Sequence, residues 1–62
     1  MLAPPPDTVL GAAVRRVVDW WVVEDLHGNR TYCLVRTDDG RQVTLLRTAE
    51  GWHPTIVTEA AA

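Results

Sequence analysis

Val17-Val18-Asp19-Trp20-Trp21-Val22-Val23 is the stretch whose reading decides the fold. Valine is β-branched and stiff at χ1, and valine and tryptophan both suit a pleated surface, so the run reads as a strand. Successive strand side chains point to opposite faces, so Trp20 and Trp21 put a large aromatic on each side of a sheet. A 62-residue chain has little material with which to cover both. One side can be the core; the other needs a tail, a second copy or a partner. The same region carries a second pattern: Leu10, Val14, Val17, Val18 and Trp21 fall on one helical stripe, with Asp7 or Thr8 as N-cap. A short helix over 8–13 followed by a long strand satisfies both patterns.

Working outward, three turn signals divide the chain. Gly28-Asn29 reads as a two-residue hairpin loop with glycine first, and Asp39-Gly40 as a type I′ loop. Ala49-Glu50-Gly51 fits a three-residue loop with glycine in the left-handed position. The apolar segments are then 14–26, 31–38, 42–48 and 52–58, and sequential hairpins make an antiparallel meander. Before them, 1–8 with Pro4-Pro5-Pro6 reads as a flexible leader, because a proline run favours polyproline II over helix or sheet. The single β domain covers 9–59, and 60–62 reads as a disordered tail.

These loops imply a register: Trp21 opposite Arg36, Val22 opposite Val35, Leu34 opposite Leu45 and Thr44 opposite Ile56. One face then carries Trp20, Val22, Cys33, Val35, Leu46, Trp52 and Ile56, nearly free of charge, and is the expected core. The other carries Trp21, Val23, Tyr32, Leu34, Val43, Leu45 and Val57 among Asp25, Arg36, Arg47 and His53. There Trp21 can stack on Arg36, and Asp25, Tyr32 and Arg47 can form a polar cluster. Trp, Tyr and Arg are the residues enriched at binding hot spots, so Trp21, Tyr32, Arg36 and Arg47 are the candidate partner-binding residues. The competing reading has the N-terminal segment simply covering Trp21.

Composition narrows the function. The net charge of −2 and the isoelectric point near 5.4 disfavour a non-specific nucleic-acid binder, which is normally basic. All six basic residues are arginine, a residue suited to interfaces, although a codon bias would produce the same excess. Cys33, the lone cysteine, cannot form an internal disulfide, and no Cys/His spacing suggests structural zinc. Oligomerisation is then the cheapest source of extra burial for so small a chain. No apolar run is long enough to span a bilayer and no signal-peptide pattern begins the chain, so a cytoplasmic location is expected, without membrane contact.

Little in the chain can carry chemistry. Cys33 points to the expected core face, where a cysteine behaves as a small hydrophobe, and His27 sits at a hairpin tip. His53 precedes Pro54, which marks an edge strand and makes the histidine a rim residue. Asp38-Asp39 belongs to a turn. No phosphate loop, metal signature or nucleophilic triad is present, and no cofactor is expected. The chain reads as a non-enzyme.

Trp20-Trp21, Arg30-Thr31-Tyr32, Asp39-Gly40-Arg41, Leu45-Leu46-Arg47 and Gly51-Trp52, taken together, resemble the small strand-rich segment that ends some bacterial mutasome proteins, the inactive relatives of Y-family translesion polymerases. The resemblance covers 17–52. Val22 and Val23 extend the first strand where that tail turns, and no polymerase body is present. The resemblance implies a protein-interaction module near DNA-repair machinery.

The expectation is an all-β domain, a four-stranded antiparallel meander curling toward an SH3-like barrel. Its expected function is non-enzymatic protein–protein interaction, linked to DNA repair or replication or to phage modulation of a host protein. Two other functions fit the same residues: a nucleic-acid contact through Trp21, Tyr32, Arg36 and Arg47, disfavoured by net charge, and a structural homo-oligomer such as a homodimer.

Overall fold

Turn chemistry sets the architecture. Asp25-Leu26-His27-Gly28, Thr37-Asp38-Asp39-Gly40 and Thr48-Ala49-Glu50-Gly51 share one design: an oxygen-bearing residue first, and a glycine at positive φ three positions later. That is the residue preference of a type I turn, in which the first side chain caps the loop and the fourth residue leaves it. The Asp25 carboxylate accepts from the His27 amide at 2.8 Å, and the Thr48 hydroxyl accepts from the Glu50 amide at 3.2 Å. The Gly40 amide donates to the Thr37 carbonyl at 3.1 Å.

These loops join the strands of a computed structural model that describes residues 4–59. The strands are β1 (Thr8–Val9), β2 (Ala12–Asp25), β3 (Gly28–Thr37), β4 (Arg41–Thr48) and β5 (Gly51–Glu59). They form one antiparallel sheet in the order β1-β2-β3-β4-β5. Among the described residues there is no helix. The all-β reading and the four-strand meander hold, with a fifth, two-residue strand added. The expectations for residues 1–3 and for the tail at 60–62 lie outside the described residues.

The helix considered over 8–13 is instead a hairpin. Thr8 pairs with Ala13 and Val9 with Ala12 around Leu10-Gly11, both at positive φ (52° and 81°). Glycine at position 11 weakens a helix and suits such a loop; leucine at position 10 does not, since its Cβ is crowded there. The leader is tied to the sheet at its end, because the Val14 amide donates to the Asp7 carbonyl at 2.8 Å.

The expected register changes at all three loops. The first loop is Leu26-His27, so Trp21 pairs with Tyr32 rather than Arg36, and Val22 with Thr31 rather than Val35. The second loop is Asp38-Asp39-Gly40, so Val35 pairs with Val43 and Cys33 with Leu45. The first change is an even slip and leaves Trp20 and Trp21 on their expected faces. The second is a slip of one residue, which turns every side chain of β4 over. Val43 and Leu45 therefore enter the core, while Leu46 and Ile56 leave it. β5 keeps its expected pairs Thr44–Ile56 and Val43–Val57, but the third loop is the two residues Ala49-Glu50, with Gly51 opposite Thr48, and a bulge at Thr55 returns Trp52 to the core side.

The core is small: Val9, Cys33, Val35, Val43 and Leu45, with Val14 and Trp52 packed against it. Trp20 and Trp52 meet edge to face, with ring centroids 5.7 Å apart, although β3 and β4 lie between their strands. Flat strands spaced ~4.8 Å apart would leave β2 and β5 ~14 Å apart, so the contact reports a sheet curled toward a barrel.

A polar knot holds the opposite end. The Thr37 hydroxyl is hydrogen-bonded to the Asp39 carboxylate and donates to the Arg41 carbonyl at 3.2 Å. Arg41 donates to Asp39 from Nε at 2.8 Å and reaches the Leu10 carbonyl from Nη2 at 3.3 Å. The β3–β4 loop is thereby fastened to the β1–β2 loop.

Candidate functional site

Strand pairing follows from the loops, and side-chain placement follows from the pairing, since residues directly opposite share a face. Trp21 and Tyr32 are opposite on the convex face, and their rings stack with centroids 5.6 Å apart and planes 12° apart. Arg36 shares that face but lies four residues further along β3, opposite Arg16. At ~3.3 Å per residue it is ~13 Å from Tyr32, so Trp21 stacks on tyrosine and not on arginine. Arg47 pairs with Trp52 and shares the concave face with Leu45; its Nη1 atom is buried without a hydrogen-bond partner. The one-residue slip at the Asp38-Asp39-Gly40 loop is what moves it there. The structure thus joins Trp21 with Tyr32, leaves Arg36 at a distance and separates Arg47. The cluster expected from Asp25, Tyr32 and Arg47 is absent: Asp25 pairs with Arg30 at 2.9 Å across the first hairpin.

The sheet also exposes what pattern reading had divided between two covered faces. Beyond Ala13, β2 has β3 on one side and no strand on the other. Val17, Val18, Trp20, Trp21, Val22 and Val23 are all exposed, from 36% to 56%. Trp20 lies on the concave side opposite Cys33, yet it is 43% exposed on this edge strand, and past the Tyr32–Leu46 pair β3 has no β4 beside it. The far end of the β2–β3 hairpin is therefore a bare two-stranded ribbon, capped by a fully exposed Leu26. Its valines have a core strand's composition and are nonetheless exposed, which only the loops, through the register, reveal.

Charge is segregated along β2. Arg15 and Arg16 stand at its start, and with Arg36, Thr37, Asp38 and Gly40 they line an open cleft of about 360 Å³. Arg16 and Arg36 are directly opposite, a like-charged cross-strand pair that costs stability. The ion pairs of the described residues are Arg30–Asp25 and Arg41–Asp39, so none of these three arginines is neutralised by one. Glu24 and Asp25 stand at the other end of the strand.

Burial pushes the Cys33 thiol pKa up, which keeps it protonated and inert. Cys33 faces the core, His27 is at a loop tip and His53 lies on the convex side opposite Leu46, so the three do not converge. Among the described residues, no group of three or more His, Cys, Asp or Glu could hold a metal. No helix among them is long and apolar enough to cross a membrane.

Comparison with family models, with curated proteins and with solved structures finds no match.

Proposed function

We propose that this chain is a non-enzymatic protein-interaction module that engages its partner along β2. One observation carries the reading: residues 17–23 keep six apolar side chains exposed on a stretch of β2 whose outer edge has no strand beside it. An open, apolar edge offers an added strand both backbone hydrogen bonds and side-chain burial. The resemblance of residues 17–52 to the mutasome tail is what would put such a partner among DNA-repair proteins.

The test is capture by the immobilised chain. Val22→Lys with Val23→Lys should lose the captured protein, while Ile56→Lys with Val57→Lys on β5 should retain it. Equal capture by both double variants would remove β2 from the contact.

A second function is favoured by the uncompensated Arg15, Arg16 and Arg36, since Arg16 and Arg36 share a face with the stacked Trp21 and Tyr32. Bases stacked on the aromatics, with phosphates on the arginines, would make a single-stranded nucleic-acid contact. It requires a salt-sensitive anisotropy change with a labelled oligothymidine; no change at low salt ends it.

A further inference from the structure

Read from either end, β2 is complementary to itself. Arg15-Arg16 and Val17-Val18 precede Asp19-Trp20-Trp21, and Val22-Val23 and Glu24-Asp25 follow. Two positive charges begin the exposed part of the strand, two negative charges end it, and valine pairs lie inside both. We propose that the partner on the open edge is a second copy of this chain, its β2 added antiparallel across a two-fold axis beside Trp20. The proposal rests on the interaction role argued above and gives its partner an identity.

The pairing follows from charge and geometry. A two-fold axis at Trp20, with the bulge at Val18 taking up one residue, sets Val17 beside Val22 of the partner subunit and lays the Arg15-Arg16 end of each strand along the acidic end of the other. By symmetry the same contacts recur at the other end, as an isologous interface requires. Because of the bulge Arg16 is on the convex side and Glu24 on the concave side, so the charges attract as strand ends and not as directly opposite side chains. A parallel arrangement would set arginine on arginine and acid on acid, so the strand selects its own orientation. The arginines at one end and Glu24 at the other have no ion pair within the chain, so the second copy supplies the missing counter-charges. β1 leaves the edge open to it, since β1 stops pairing at Ala13.

Light scattering after size exclusion tests this with the full chain. The mass should rise from 6.9 kDa toward twice that value as concentration increases. Arg16→Glu alone and Glu24→Arg alone should each self-associate roughly tenfold or more weakly, because like charges then meet at both ends. An equimolar mixture of the two should dimerise again, since each end then pairs opposite charges; this rescue also shows that both variants are folded. A mass fixed at 6.9 kDa for the unaltered chain at every concentration overturns the proposal, as does unchanged self-association in either variant. If the chain is monomeric and the β2 lysine variants still lose capture of another protein, the self-pairing is wrong and the interaction role stands.

Discussion

The sheet ends in two strands that meet the edge problem differently. β5 carries Pro54, which has no N–H to give a ladder, a bulge at Thr55 and a terminal Glu59, all devices that blunt an edge. β2 has bulges of its own at Arg15 and Val18, and the Asp19 carboxylate accepts from the Trp20 amide at 2.8 Å, but it carries no proline and presents valine and tryptophan along its open side. Both strands are exposed and both contain apolar residues: Ile56 is 60% exposed and Val22 56%. Exposure alone therefore does not single out a contact strand. What differs is the backbone: every residue of β2 from 14 to 25 keeps an N–H, whereas Pro54 removes one from β5.

The comparison holds only if both edges hang from one core. Leu45 stands between Cys33 on β3 and Pro54 on β5, with none of its side chain exposed. Leu45→Ala should cost about 2–5 kcal/mol in urea unfolding, with both edges lost in one transition. Separate transitions for β2 and β5 would show that they are not one unit. Trp20→Ala removes the ring that links the two edges through Trp52, and should cost about 1–2 kcal/mol by the same measurement. A neutral result would mean that the curl is set elsewhere.

Two finer effects concern the knot that anchors the start of β2. Leu10→Asn replaces a strained left-handed leucine with a residue that tolerates that conformation. It should stabilise the fold by about 0.5–1 kcal/mol in thermal unfolding; destabilisation would contradict the positive φ at Leu10. The Asp39 pKa is lowered from 3.8 to about 2, first by the Thr37 hydroxyl and then by Arg41. A carboxyl whose pKa is lower in the folded state stabilises the fold above its unfolded pKa and loses that contribution as pH falls through the folded one. Stability should therefore decline from near pH 4 toward pH 2, and Asp39→Asn should flatten that arm. An unchanged acid arm in the variant would free Asp39 of the role.

The fold class was legible because valine density and the paired tryptophans at 20 and 21 leave a strand as the consistent reading. The placement of Trp20, Trp21, Cys33 and Val35 was legible for the same reason, since alternation survives an even slip. Arg47, Val43 and Leu45 were not, because Asp39-Gly40 looks like a two-residue loop while the loop holds three residues. The turns carry a shared signal, since Asp25, Thr37 and Thr48 each precede a glycine by three positions; it marks where each hairpin turns but not its register, because the loop holds two residues at the first and third and three at the second. Trp52 reached its expected side only through a bulge at Thr55 that no local pattern announces. The open edge is a property of strand order, which emerges only when β1 is seen to stop at Ala13.

The most direct measurement is amide hydrogen exchange, residue by residue, at low and high protein concentration. The outward-facing amides of residues 15–25 should gain protection as concentration rises, while those of β5 stay unchanged. Exchange in β2 that is indifferent to concentration, or protection that appears in β5 instead, would contradict the account.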